Sequence, residues 1–238
     1  MTPPPTSQAL LWRGATEEAP PTPITWAKHF PQQVESLKQS LKFMQKLLAL
    51  GVSNVVFLRN VFPEEAFASG KALGKIPIRI LKAKNPIKEA GLLANYILSA
   101  MDALAQKYLR ELHIIIHQDG DPNNVLEVYT FRSIKFLSKE LKKKTLYARF
   151  TYPEDGSVML EMGVERQGSK KVTQTSIKKD ATNLLRTLLD HTKGLPPLPD
   201  NCHITVDLTY YDELVPADYQ PEGFKESAIF QLPNGKRG

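Results

Sequence analysis

Residues 195–224 read LPPLPDNCHITVDLTYYDELVPADYQPEGF, passing from a proline-rich stop through a strand into an irregular strap. Between His203 and Tyr211, the side chains of Ile204, Val206, Leu208 and Tyr210 fall on one face and those of Thr205, Asp207 and Thr209 on the other. This is the period-two pattern of a half-buried strand, and it predicts one packed face and one face in water. Further on, Pro216 and Pro221 forbid regular ladder pairing at their own positions. Yet Leu214, Val215, Tyr219 and Phe224 carry too much apolar surface to stand in solvent. The strap must therefore dock on something that the rest of the chain supplies.

Upstream, from Gln33 to Phe62, the apolar residues Leu37, Leu41, Met44, Leu47, Leu48, Val52, Val55, Val56 and Leu58 recur at spacings of three and four, which predicts an amphipathic helix. Pro31 and Pro63 bracket it. Gly51 inside it costs about 1 kcal/mol against alanine, a cost often accepted where another element approaches closely. Ile76, Ile78 and Ile80 alternate as in a strand or hairpin arm. Asn85-Pro86 reads as an N-cap with proline at the first helical position. The helix it opens carries the stripe Leu92, Leu93, Tyr96, Ile97, Ala100, Met101, Leu104 and Tyr108 and ends near Arg110. Leu112 to His117 is a continuous run of the kind found in a central strand covered on both faces. Turn chemistry from Asp119 to Asn124 then leads into a returning strand, Val125 to Phe131, and Val158 to Val164 reads as another strand. A third helix, capped by Thr175 or Ser176, has the stripe Ile177, Ala181, Leu184, Leu185, Leu188 and Leu189 and stops at Gly194. The expected fold is α+β, with three helices packed on a mainly antiparallel sheet and the first helix at the centre. No long-period repeat divides it, so one domain is expected.

The chain has 238 residues and 42% apolar content, enough to bury a real core. A net charge of +6 permits attraction to nucleic acid or anionic surfaces without demanding it. A single cysteine, Cys202, excludes an internal disulfide framework and fits a reducing, intracellular setting. No run approaches the roughly 18 apolar residues of a membrane helix, so no membrane partner is expected. The proline-rich residues 1–24 lack the order of a signal peptide and read as a disordered arm. Within and just after it, Trp12 suggests a short interaction motif, and Trp26 with Phe30 a cover for the core edge.

Chemistry-bearing residues are few. His117, Asp119 and Asp121 do not complete a calcium loop, because proline follows Asp121 and no glutamate sits at the required offset; a turn is the simpler reading. Cys202 and His203 are neighbours on a strand and point to opposite faces, so they cannot act as nucleophile and base. No glycine-rich phosphate loop, GxSxG or HExxH is present, so neither an enzyme nor a bound cofactor or metal is expected. Lys142, Lys143 and Lys144, with Lys170-Lys171 and Lys178-Lys179, form basic runs suited to auxiliary DNA contact, although such runs are usually solvated faces without interleaved aromatics.

Three segments together resemble the HORMA-domain family, in particular its meiotic chromosome-axis branch. The first is Pro197-Leu198-Pro199, Cys202, Tyr210-Tyr211-Asp212-Glu213, Pro216, Asp218-Tyr219-Gln220-Pro221 and Gly223-Phe224-Lys225. The second is Val52-Ser53-Asn54, Leu58-Arg59-Asn60, Phe62-Pro63-Glu64 and Phe67. The third runs from Met101 to Arg110, and Glu127, Tyr129 and Phe131 match a following strand. Two departures stand out. Arg132 to Arg149 reads as an insertion, a basic surface loop or short helix. The chain also ends at Gly238, so the peptide-holding C-terminal belt that the family carries is expected to be incomplete here and to hold a peptide weakly.

The resemblance implies a disordered arm over 1–24 and a HORMA domain over 25–238, with a core over 25–211 and a C-terminal safety belt over 212–238. It implies that the belt closes over a partner's closure-motif peptide, pinned to a sheet edge by strand addition. Tyr210, Tyr211, Asp212, Pro216, Tyr219, Pro221 and Phe224 would serve as belt residues, with Leu184 and Leu188 of the third helix as the floor. It further implies a nuclear adaptor of meiotic chromosomes, acting in axis assembly, synapsis and recombination. Such an adaptor would touch chromatin indirectly and be remodelled by a hexameric AAA+ ATPase that grips the N-terminal arm. The alternative within the family is an adaptor of the spindle checkpoint or of DNA-damage tolerance.

Overall fold

Helix α1 (Leu37–Leu58) is buried on every side over residues 47–56, because the chain surrounds it with elements from before and behind. The computed structural model describes residues 6–9, 37–69, 76, 78–121, 124–133, 145–151, 158–165 and 174–226. Helix α2 (Lys88–Ala105), helix α3 (Gln174–Lys193) and a small hairpin of β2 (Phe67–Ser69) and β3 (Arg79–Leu81) all pack around α1, with β3, α2 and α3 in direct contact with it. Met44, Leu48, Val52, Val55 and Val56 are completely enclosed, each such aliphatic side chain contributing about 1.5–3 kcal/mol of transfer free energy. Two polar residues in this core are there to hold the hairpin. Ser53 Oγ accepts the Leu81 amide at 3.1 Å, and Asn54 Nδ2 donates to Leu50 O at 2.7 Å and to Arg79 O at 3.1 Å.

The first helix stops where Asn60 takes φ 53°. Its amide donates to Phe57 O and the Val61 amide to Val56 O, the paired bonds of a Schellman end. The second helix ends the same way, with Lys107 at φ 69° and the Lys107 and Tyr108 amides donating to Leu104 O and Ala103 O. It therefore ends at Ala105 and not near Arg110. It also starts later than Asn85-Pro86 suggested. Asn85 Oδ1 accepts the Ile87 amide at 3.1 Å while its Nδ2 donates to Ala66 O and Lys82 O, so it fastens the preceding loop and the helix begins at Lys88. In α3, Thr175 and Ser176 lie inside the first turn, not at the cap.

The main sheet has six strands in the order β1 (Thr6–Ala9), β8 (Cys202–Tyr210), β4 (Leu109–Gln118), β5 (Val125–Ser133), β7 (Val158–Glu165) and β6 (Thr145–Thr151). Every neighbouring pair is antiparallel except β5 with β7. The expected central strand is β4, buried throughout from Leu112 to His117. Three expectations are corrected. Residues 6–9 of the supposed disordered arm form an edge strand. Arg132 and Ser133 finish β5, while Thr145 to Arg149 belong to β6, so both ends of the supposed insertion are sheet; residues 134–144, with Lys142, Lys143 and Lys144, lie outside the described residues. Asp207, placed on the water face by alternation, is only 2% exposed. It sits opposite His113 of β4, whose Nδ1 lies 2.9 Å from Thr130 Oγ1 on β5, so this face is a polar row that is nevertheless covered.

Among the described residues one stretch, Leu41–Leu58, is apolar enough to span a membrane by length and composition, although it is not an uninterrupted apolar run. It is α1, and 67% of it is buried in the fold, so its hydrophobicity is used for the core.

Two predictions follow from this packing. A Cβ on Gly51 would stand 2.5 Å from Cε1 of Phe131, a fully buried ring. Gly51→Ala gains about 1 kcal/mol of helix propensity but overpacks the core at a cost of about 1–3 kcal/mol; chemical denaturation is expected to show net destabilisation. Glu111 provides the second. Arg132 Nε donates to its Oε1 at 2.6 Å and His113 Nε2 lies 3.3 Å from its Oε2. Burial pushes the carboxyl up, but the hydrogen bonds and charges of His113 and Arg132 outweigh burial and hold it at about 2, against 4.5 ordinarily. A depressed folded-state value means stability that is complete above the unfolded value and lost as pH falls toward the folded one. Glu111→Gln should therefore melt below the wild type near neutral pH, with the two melting curves converging as pH approaches about 2.

Candidate functional site

The strap begins one residue after β8. The Tyr211 amide donates to Tyr108 O at 2.9 Å, and the Tyr211 hydroxyl donates to Ser133 O at the end of β5. The chain then turns, with the Leu214 and Val215 amides both donating to Tyr211 O, and turns again as the Tyr219 amide donates to Pro216 O at 3.1 Å. The ring of Tyr219 packs edge-on against Tyr108 and Tyr210, at centroid distances of 4.9 and 5.7 Å. Burial, reinforced by Asp102 beside it, pushes the Tyr219 phenol up to about 12, so it stays a neutral donor, 3.5 Å from Asp102 Oδ2.

Beyond it the strap is fastened to α2. Phe224 is 2% exposed and packs on Tyr96 with 5.1 Å between centroids. Ser99 Oγ donates to Glu222 O at 2.8 Å, and Gln220 Nε2 donates to Phe224 O at 2.6 Å. Gly223 takes φ +81°, and a Cβ there would stand 2.8 Å from Tyr96 Cε1. Here only glycine satisfies both the backbone and the space.

Of the expected belt residues, Tyr210 is the last residue of β8, and Tyr211, Tyr219, Pro221 and Phe224 thus lie along one docked strap. Asp212 and Pro216 are exposed on it. Leu184 and Leu188, expected as a floor for a bound peptide, are 2% and 1% exposed and lie in the core where α3 meets α1. The strap itself rests on Tyr96, Ser99 and Asp102 of α2 with Tyr108 just past its end. The sequence held a signal for it, since residues 96, 99 and 102 recur at intervals of three and share one helical face. Of the three, only Tyr96 belongs to the apolar stripe of that helix.

The strand from which the strap departs has two edges. One pairs with β4 along its length. The other pairs with β1 over four positions, Thr6 with Leu208, Ser7 with Asp207, Gln8 with Val206 and Ala9 with Thr205. At the far end of β8, Asp119 and Gly120 adopt positive φ in the expected turn. Thr205 Oγ1 lies 2.8 Å from His117 Nε2, and burial lowers the His117 imidazole. Among the described residues no group of three or more His, Cys, Asp and Glu is placed to hold a metal ion. Burial also pushes up the Cys202 thiol, away from nucleophilic character.

A central helix behind a sheet whose last strand runs straight into a docked strap defines an α+β sheet-and-strap module. The chain belongs to the HORMA domain family, whose model matches residues 40–236. It is 32% identical to mouse HORMA domain-containing protein 1 over 83% of its own length and 46% of that protein's. It is 35% identical to the protein of the same name from Xenopus laevis over 82% of its length and 46% of that protein's. The chain therefore spans about half the length of these relatives. Its fold matches the solved structure of C. elegans HTP-2 bound to HTP-3 closure motif 1, with a TM-score of 0.68 and 22% identity over 93% of this chain and 87% of that one.

The docking geometry predicts that Gly223→Ala releases the strap from α2 without unfolding the core. Hydrogen exchange of the Tyr219 and Phe224 amides should speed up while the melting temperature changes little. Unchanged exchange at both amides would mean that the strap is held elsewhere.

Proposed function

We propose that this chain is a non-enzymatic adaptor of meiotic chromosomes, whose strap closes over closure-motif peptides of partner proteins. The observation that carries the reading is the direct continuity of β8 with the strap. A peptide added along the β8 edge would gain main-chain hydrogen bonds there, and the strap begins at the end of that same edge. The strap's anchors are few, chiefly Tyr219 and Phe224 on α2, so it is the part of the fold that can open and close at small cost. The meiotic setting is supported by the relatives named HORMA domain-containing protein 1. It is supported too by the structural likeness to HTP-2, which was solved with a closure motif of HTP-3, and to HTP-1, solved with a closure motif of HIM-3.

In this reading the domain spans 25–238, joined on its sheet by the edge strand Thr6–Ala9, with the strap and its continuation over 212–238 as the belt. The chain works in the nucleus, reaches chromatin through its partners, and supports axis assembly, synapsis and recombination. Residues 1–24 offer a handle to a hexameric AAA+ remodelling ATPase.

The test is a surface-binding screen of the immobilised chain against peptides tiled across meiotic axis proteins of the source organism. Spindle-checkpoint and damage-tolerance partners supply the comparison set. Capture restricted to axis peptides is expected, with Phe224→Ala accelerating release about tenfold or more, since differences among related complexes lie mainly in dissociation. Capture restricted to the comparison set would move the chain to another branch of the family, and capture of neither would end the proposal.

A further inference from the structure

The outer edge of β8 is already taken. Residues 6–9, TSQA, lie antiparallel along Thr205 to Leu208, on the strand that leads into the strap. We infer that this N-terminal segment is a built-in occupant of the peptide-accepting edge, a strand held in cis that a partner peptide must displace. The inference rests on the proposed capture of peptides along β8.

Three features fit an occupant that is held but replaceable. First, the pairing covers only four of the nine residues of β8, and an isolated ladder this short is marginal in water. Second, the segment is polar and small, so it binds through main-chain groups, which any extended peptide can replace, and has little side-chain payload to add. Third, Pro3-Pro4-Pro5 immediately precede it. Proline has no amide to donate to a ladder, so the pairing is bounded at Thr6. A segment tethered to the same chain nevertheless benefits from a high effective concentration, which is why so weak a strand is found on the edge at all. An occupied edge also answers a hazard, since an open strand edge is a template for unwanted pairing.

The test uses the full-length chain and its Ser7→Pro/Gln8→Pro variant. In an antiparallel pair, hydrogen-bonded and non-hydrogen-bonded positions alternate, so one of these two adjacent residues donates its amide to β8 whichever the phase. Proline at both removes that bond. The probe is a fluorescent peptide of residues 1–12 of this chain, added in trans and followed by anisotropy, with hydrogen exchange of the Thr205 to Leu208 amides as the second readout.

The variant is expected to bind the probe about tenfold more tightly than the wild type, as for an edge free only about a tenth of the time in the intact chain. Its outward-facing β8 amides should exchange faster, and the probe should restore their protection. Equal binding by the two proteins with unchanged exchange would overturn the inference, as would protection that depends on protein concentration, which would place the segment on a second copy. Screening the same variant against the axis peptides separates the two readings. Capture of axis peptides with no gain over the wild type removes the cis occupant and leaves the adaptor. Binding of the probe with no capture of any axis peptide does the reverse.

Discussion

A guanidinium buried at the end of α1 holds the three parts of this fold in their relative places. Arg59, 6% exposed, grips Glu127 of β5 with Nε and Nη2 at 2.9 and 2.6 Å and gives a further bond from Nη2 to Pro196 O at 2.6 Å. The Tyr129 hydroxyl donates to the same carboxylate at 2.7 Å; burial, then the Glu127 charge, pushes that phenol well above its ordinary range. Burying such a pair returns little net stability, but losing one partner strands the other at a cost of about 3–5 kcal/mol. Its effect is therefore on geometry. The central helix, the middle of the sheet and the proline-rich stop ahead of β8 can be satisfied together in one arrangement only. Because the stop is fixed at Pro196, β8 enters the sheet at a set place, and so does everything that follows it.

Beyond β8 the energetics change character. The core packs enclosed aliphatic side chains on all sides of α1, whereas the strap depends on a tyrosine in an aromatic corner, a phenylalanine on Tyr96 and a handful of main-chain bonds. Regions with few buried contacts open locally at a small fraction of the global free energy. A strap built this way can leave α2 while the sheet and the three helices stay folded. The sequence places its turn-formers accordingly. Pro216 and Pro221 sit at the starts of the two turns that bring Tyr219 and Phe224 inward, and Gly223 supplies the positive φ beside the Tyr96 ring.

Much of this was legible in the chain because burial leaves a period. The stripe of α1, the unbroken run of β4 and the alternation of β8 read directly into structure, and Gly51 marked the approach of Phe131. What escaped the reading was set by partners distant in sequence. Asp207 alternates as a surface residue, yet its strand lies beside β4, where His113 faces it. Lys107 gives no sign of a left-handed residue, since a glycine is the usual marker there, and the apolar stripe runs on to Tyr108, past the end of α2 at Ala105. The parallel pairing of β5 with β7 depends on a crossover that no local pattern encodes. Leu184 and Leu188 read as apolar and are buried where α3 meets α1, and periodicity reports that a face is buried and not against what.

The edge strand itself shows why backbone placement outweighs side-chain character here. Only Thr6 in TSQA favours a strand by composition, and by hydrophobicity alone the segment belongs in solvent. A row of unpaired amides and carbonyls along β8 accepts it nonetheless, because main-chain pairing asks only for an extended segment without proline at the donor positions. The same indifference to side chains is what a peptide-accepting edge requires, with selectivity left to whatever surrounds it. Here the surroundings are β8 itself, positioned at its start by Arg59 through Pro196, and the strap hinged at its end through Tyr211. One end of the strand is locked to the core by a buried ion pair and the other is joined to the least stable element of the fold. A strand so placed can change partners along its outer edge while its inner edge keeps its register with β4.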